Sequence, residues 1–382
     1  MPLDHAVAAR LARPITIRAV EAIPVALPLT KPMKMAGVEL TTAENLLVRI
    51  EAADGTVGWG EAASAPTMTG DTLPAMVAAV RDHLAPLLVG KDARGRAALV
   101  ARMAHAMHLN TGARSAVEIA LADLVGRTLG VGFVDLYGGA LRSSVEPMWL
   151  VGNATAGEDI AEARTRMRDG YAFFKLKVGV KRVEEEIETA LAVRAALGAG
   201  VTLCADANGG FDYPRATRYL AGVREAGLAF LEQPLAAANL AGLARLARTT
   251  AIPLGADEGI HSLADVEAHA GAGVGGLSLK LIKLGGPAAT LSAALIAAHR
   301  GLAINLAAKV AESSLGSAAT LAIACLAPSL EWGVSLTQAY LADDIARPAL
   351  RLVDGRVGLP SGPGLGLEVD EAAVARFRQS LR

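Results

Sequence analysis

The sequence predicts an α/β protein: a (β/α)7-8 barrel of TIM type preceded by an N-terminal α+β capping domain. Three observations carry that prediction. From about Val145 onward, eight short apolar runs alternate with Ala-rich helical stretches. Five of these runs end on a charged residue: Lys177, Asp206, Glu232, Asp257 and Lys280. The steps between them are 29, 26, 25 and 23 residues, each close to one strand, one helix and two loops. Before Val145 the grammar differs, with strands followed by a run of helices, as in an α+β unit.

The elements follow in order. Residues 1–14, MPLDHAVAARLARP, carry Asp4, His5, Arg10 and Arg13 without an apolar stretch, which predicts a loose extension and not a signal peptide. The capping domain is expected over 15–142. ITIRAVEAIPVAL and ENLLVRIEA are rich in β-branched residues, and Asp54-Gly55 is a hairpin signal before TVGWGEA. From about Asp71 the pattern turns helical, ending with ARSAVEIALADLVGRTLG, which stops at a glycine. The barrel is expected over 143–358, with strands EPMWLVG, AFFKLKV, VTLCAD, LAFLEQ, IPLGAD, GLSLKL, LAINLAA and SLEWGVS. The tail, 359–382, is expected to return to the capping domain. A doubly wound open sheet is the rival fold, but a site shared by five consecutive strands favours closure.

A chain of 382 residues suggests about two structural units. A formal net charge of −1 without basic or acidic blocks disfavours nucleic acid and membrane surfaces and leaves small-molecule chemistry. Cys204 and Cys325 are too few for a disulfide framework, so a cytoplasmic protein is expected. No apolar run reaches the length of a membrane span.

Asp206, Glu232 and Asp257 each close a strand, so in a barrel all three reach one rim. Hard oxygen donors from adjacent strands suit Mg²⁺, which keeps open positions for water and substrate. The competing account is that each acid caps the helix that follows it; three in consecutive units make that account the weaker one. Lys175 and Lys177, two apart on a strand, share a face. At an effective dielectric of roughly 20 their repulsion is about 2–3 kcal/mol, an expensive arrangement unless carboxylates lie opposite. A neighbouring cation would also move Lys177 toward the range of a general base. Lys280 ends its strand across the barrel from Lys177, whereas Lys283 begins the LGGP turn and is expected to cap a loop. The pattern describes a carboxylate substrate on Mg²⁺ with a lysine on each face of its α-carbon, able to stabilise an enediolate.

At these residues the chain resembles the enolase superfamily, in its muconate-lactonising (muconate cycloisomerase) subgroup of mandelate racemase/muconate lactonising enzymes. K-x-K, D-A-N, L-E-Q-P, A-D-E and a lysine followed by Gly285-Gly286 match in order and spacing, and the resemblance spans nearly the whole chain. It implies an isomerase with Lys177 and Lys280 as the acid/base pair and Asp206, Glu232 and Asp257 on Mg²⁺, with Mn²⁺ as a substitute. Lys175, Asn208 and Glu258 would be supporting residues. Histidine-dependent branches are disfavoured because LAINLAAKVAE, the seventh strand, has no histidine. The expected partner is a small carboxylate, and the expected form is a homo-oligomer.

Substrate choice in this subgroup is expected from the loops PLTKPMKMAGVE and EAASAPTMTGDT and from the last two strands. Met33, Met35 and Met68 are lid candidates or flexible filler. APTMTGDT is similar to the dipeptide epimerases, yet their Asp-x-Asp pair is absent from Glu331-Trp332-Gly333-Val334-Ser335. Lys309, Glu312 and Trp332 are the candidate substrate-binding residues: Lys309 either faces the cavity and takes a second substrate carboxylate, or turns outward or pairs with Glu312. Trp332 either stacks on a quaternary ammonium or belongs to the core. A muconate-type cycloisomerase leads; racemisation or epimerisation of an N-substituted or N-methylated amino acid, and dehydration, are alternatives from the same lysine pair. A non-catalytic barrel is the remaining reading. GAGVGG at 271–276 precedes a strand and reads as a loop. His105 and His108 lack a third ligand, and Cys204 reads as a buried thiol.

Overall fold

The computed structural model describes residues 13–35, 38–152 and 155–381. The expected loose extension, 1–14, therefore lies outside the described residues except for Arg13 and Pro14.

Strands β1 (Ile17–Met35), β2 (Val38–Ala52) and β3 (Val57–Ala63) form an antiparallel sheet in sequence order. The Asp54-Gly55 turn joins β2 to β3 as its sequence predicts: Gly55 has φ +89°, and the Asp54 carboxylate accepts the Thr56 N–H at 2.9 Å. Short helical segments over 73–106 lead to helix α1 (Thr111–Leu129), which stops at Gly130 with φ +74°. Nearly every α1 side chain is buried because the helix lies directly on β3. That approach requires glycine: a Cβ on Gly60 would sit 2.0 Å from the Ala116 carbonyl oxygen.

All eight expected barrel strands form. After the short β4 (Ser144–Val145) come β5 (Met148–Gly152), β6 (Phe173–Lys177), β7 (Thr202–Asp206), β8 (Leu231–Glu232), β9 (Leu254–Ala256), β10 (Gly276–Leu279), β11 (Ala303–Ala307) and β12 (Val334–Ser335). Strands β5 to β12 form one parallel sheet in sequence order, and a parallel bridge between Pro147 and Val334 closes it. The rival open sheet is thereby excluded. Helices α2 (Ala156–Arg168), α3 (Val183–Leu197), α4 (Tyr213–Gly222), α5 (Leu240–Ala247), α6 (Leu263–Gly271), α7 (Pro287–His299) and α8 (Ser314–Leu326) alternate with the strands.

Inside the barrel, Phe173, Lys175 and Lys177 share the inward face of β6, stacked from floor to rim. Met148, Phe173, Cys204, Phe230 and Trp332 form the apolar floor. The closing segment packs on the capping domain: the Asp123 carboxylate accepts the Leu365 N–H at 2.7 Å, and Gln379 donates its N–H to the Pro24 carbonyl at 2.9 Å. Among the described residues no helix is long and apolar enough to cross a membrane.

Candidate active site

Above the aromatic floor, the C-terminal rim of the barrel and the capping sheet enclose a cavity of about 440 Å³. The barrel contributes Lys175, Lys177, Asp206, Asn208, Glu232, Asp257, Glu258, Lys280 and Lys309 to its wall. All but two of the site residues expected from sequence are thus brought together. The register explains why: Lys177 pairs with Asp206 and Asp206 with Glu232 across β6, β7 and β8, so their side chains emerge at one level.

Each carboxylate takes a lysine. Lys177 donates to Asp206 Oδ2 at 2.6 Å and to Asn208 Oδ1 at 2.9 Å. Lys175 donates to Glu232, and Lys280 to Asp257. The two neighbouring lysines of β6 therefore have the opposing carboxylates that their burial demands. Burial alone would strip the Lys175 proton, but Glu232 and Asp206 outweigh it and raise its pKa. Burial likewise pulls Lys280 down, and Asp257 and Glu232 reverse the direction. Burial would raise Asp257, yet Lys280 and Lys283 together hold it far below the usual carboxylate range. Glu258 is pushed up to about 7 by burial and by Asp257 and Asp206 beside it. Asn208 ties the halves together, accepting from Lys177 and donating to Glu258 Oε1 at 2.9 Å.

Three sequence expectations need correction. Lys283 does not cap a loop. It is fully buried, bonds Asp257 Oδ1 at 2.5 Å and the Ser278 carbonyl at 3.0 Å, and so braces Asp257 from behind. Trp332 does not reach the cavity: it stacks on Phe230 in the floor, ring centroids 4.0 Å apart, because Gly255 and Gly276 leave room for its ring there. Glu312 is buried behind the wall, near Glu61 of β3; burial and Glu61 push it up to about 8. Lys309 lines the cavity and makes no ion pair with Glu312. Burial and the nearby Lys280 lower its pKa to about 8.

Of the lid candidates, Met68 lines the cavity, Met33 packs into the core, and the Met35 side chain lies outside the described residues. The capping wall comes mainly from Glu39 to Glu44 on β2 and from Ser64 to Met68 after β3, so EAASAPTMTGDT contributes as expected. Most of PLTKPMKMAGVE is instead strand, leaving Glu39 as its cavity residue. His105 and His108 are exposed, and Cys204 is a buried free thiol.

Sequence reasoning missed Gln233, although it lies within LEQP. Its Oε1 accepts the N–H groups of Asp257 (2.8 Å) and Gly259 (3.2 Å), while its Nε2 donates to the Leu235 carbonyl, fixing the turn that carries Asp257 and Glu258. The signal was its position beside Glu232, where φ +37° turns the chain. It also missed Glu61, whose carboxylate accepts the N–H groups of Ser313 (2.9 Å) and Gly316 (2.8 Å) at the start of α8.

Among the described residues no three acidic, histidine or cysteine groups converge as a ready-made cation cluster; Asp206, Glu232 and Asp257 are each turned to a lysine. The donor set nevertheless fits a hard divalent cation. Asp206 and Asp257 are close enough to Glu232 to raise its pKa along with burial, and one buried oxygen of Glu258 has no partner.

Two family models cover this architecture: "Mandelate racemase / muconate lactonizing enzyme, N-terminal domain" over residues 17–138 and "Enolase C-terminal domain-like" over 158–373. The chain belongs to the enolase superfamily. It is 31% identical to a chloromuconate cycloisomerase of Cupriavidus necator over 374 residues, 95% of this chain and 99% of the relative. It is 32% identical to muconate cycloisomerase 1 of Rhodococcus opacus over 377 residues, 96% and 99% of the two chains. A crystal structure of the muconate lactonizing enzyme from Pseudomonas fluorescens, complexed with muconolactone, superposes with a TM-score of 0.93 at 30% identity, covering 96% of this chain and all of that one. These relatives are isomerases, and this superfamily member shares their whole length and fold.

Proposed function

We propose that this chain is a cycloisomerase of the muconate-lactonising type, moving a proton at the α-carbon of a small carboxylate substrate. One observation carries the reading. Lys177 and Lys280 stand on β6 and just after β10, four strands apart in a closed sheet of eight, with Asp206, Glu232 and Asp257 on the strands and turn between them. The two lysines therefore approach a substrate from opposite sides, with the acids between.

Asp206, Glu232 and Asp257 are the proposed ligands of Mg²⁺, with Mn²⁺ able to substitute. A bound divalent ion would neutralise charge building on the substrate carboxylate as its α-carbon gains or loses a proton. The chain's own groups do the rest. In the lactonising direction one carboxylate oxygen bonds to the alkene carbon β to the other carboxylate. The π pair moves onto that second carboxylate as an enediolate, and a lysine ammonium delivers its proton to the α-carbon. No electrons are lost, and the product is an isomer. Lys177 is the proposed acid; Asp206 and Asn208 aim its ammonium group, and Lys280 lies on the opposite face. Lys175 and Lys283 hold Glu232 and Asp257 in place, and Asn208 does the same for Glu258. The capping domain, proposed over 15–142, closes the cavity over a barrel of 143–358 and keeps water from the enediolate. Free, buried Cys204 and Cys325 support a cytoplasmic setting, and a homo-oligomer is the proposed assembly.

Turnover of cis,cis-muconate to a ring ester in D₂O, with one deuterium entering the α-carbon, tests this reading. Loss of turnover with EDTA and recovery with Mg²⁺ is expected. Wild-type turnover by Lys177→Ala refutes the role of that lysine. The opposed lysines favour a second reading, two-base epimerisation, in which one removes the α-proton and the other returns it; product of inverted configuration without a new ring identifies it.

A further inference from the structure

Lys309 is the odd charge in the cavity. The other four lysines of the site, 175, 177, 280 and 283, each pair with a carboxylate. Lys309 is 8% exposed, yet its ammonium makes one hydrogen bond, to the carbonyl of its neighbour Val310 at 3.2 Å, and no ion pair among the described residues. Burying an ammonium without a paired counter-charge is unfavourable, because it gives up hydration and gains no ion pair in return. The surroundings relieve it only in part: Lys280 and Lys177 bear on it with the same sign, Glu312 and Asp257 oppose them from a distance, and neither acid forms an ion pair with it.

The neighbouring strand supplies a second unpartnered group. Ala307 of β11 pairs with Ser335 of β12, so the chain leading to Lys309 runs beside Ser335 and Thr337. Both line the cavity. The Ser335 hydroxyl is buried with no partner, and Ser335 is 6% exposed. Thr337 is already committed, donating to the Lys309 carbonyl at 2.9 Å and accepting the Glu312 N–H at 3.1 Å, and so fixes the turn that presents Lys309.

We propose that Lys309 and Ser335 form an anion subsite that receives a second carboxylate of the substrate, remote from the carboxylate held between Lys177 and Lys280. It rests on the reading of this cavity as the substrate site but not on lactonisation. The ligand then supplies the counter-charge that Lys309 lacks and the hydrogen-bond partner that Ser335 lacks. The ligand is then a dicarboxylate: the enediolate forms at the end between Lys177 and Lys280, and this subsite orients the other carboxylate, whose oxygen closes the ring in the lactonising reaction. Specificity comes from β11 and β12 and not from the metal-side residues.

Calorimetry with two non-reacting probes, adipate and hexanoate, tests the subsite in the presence of Mg²⁺. The wild-type chain is expected to bind adipate at least tenfold more tightly than hexanoate. Lys309→Met should abolish that preference with hexanoate binding unchanged; Lys309→Arg should retain most of it; Ser335→Ala should reduce it several-fold. A preference for adipate that survives in Lys309→Met overturns the proposal, as does equal binding of the two probes by the wild type. Circular dichroism confirms that each variant is folded. Adipate preference through Lys309, without conversion of cis,cis-muconate, leaves the subsite standing and overturns the cycloisomerase reading alone.

Discussion

Glu118 offers a quantitative test of how the capping domain grips the barrel. It lies on α1, 2% exposed, and its Oε1 accepts the Ala288 N–H at 2.8 Å in the first turn of α7. Its other oxygen is buried without a partner, close over Gly286. Burial pushes its pKa from the ordinary 4.5 up to about 7, despite the nearby Arg96 and Arg114. A tenfold change in proton affinity is about 1.4 kcal/mol, so holding this group as a carboxylate costs the folded chain roughly 3 kcal/mol. The sign follows from which state keeps the proton. Below pH 4.5 both states are protonated and nothing is lost. Between pH 4.5 and 7 the unfolded chain ionises first, so folding loses stability as pH rises, and the full cost is present above 7. Glu118→Gln keeps an oxygen for the Ala288 N–H and removes the titration. Urea unfolding of both proteins at pH 5 and pH 8 should show Glu118→Gln gaining, relative to wild type, about 2–3 kcal/mol between the two conditions. A difference between the proteins that is flat with pH, or that moves the other way, refutes the argument.

Two further substitutions examine the corrected assignments. Trp332→Ala should cost about 3–5 kcal/mol in urea unfolding by opening a hole in the barrel floor, while the ratio of adipate to hexanoate affinity stays unchanged. A large change in that ratio would return Trp332 to the substrate site. Lys283→Met removes one of the two ammonium groups on Asp257 and should destabilise the fold by about 3–5 kcal/mol; a cost below about 1 kcal/mol, typical of an exposed loop charge, would mean that Lys283 does not brace Asp257.

Parts of this molecule were legible because their physics is local. An apolar run ending on a lysine or an acid marks a strand that leaves the core at a polar rim. Five such ends at nearly equal intervals favour one closed sheet with a shared rim over an open one. Strand alternation placed Lys175 beneath Lys177 on one face, and Asp54-Gly55 and Gly130 marked a turn and a helix stop through backbone conformation alone. The family resemblance added roles to these residues without adding geometry.

Other features depended on partners far along the chain. Lys283 looked like a turn residue; only Asp257, 26 residues away, makes its burial tolerable. Trp332 lies within its run, before β12 begins, and the space left by Gly255 and Gly276 holds its ring in the floor. Glu61 finds its partners 252 and 255 positions on, at the start of α8, and Glu118 reaches a helix 170 positions away. The sequence by itself determined the barrel, its order and the five charged strand ends, because those follow from periodicity and the cost of burying charge. Only the tertiary structure decided which way Lys283, Lys309 and Trp332 point. A side chain beyond a strand end takes its direction from the counter-charge or cavity it meets, and folding brings those from elsewhere in the chain.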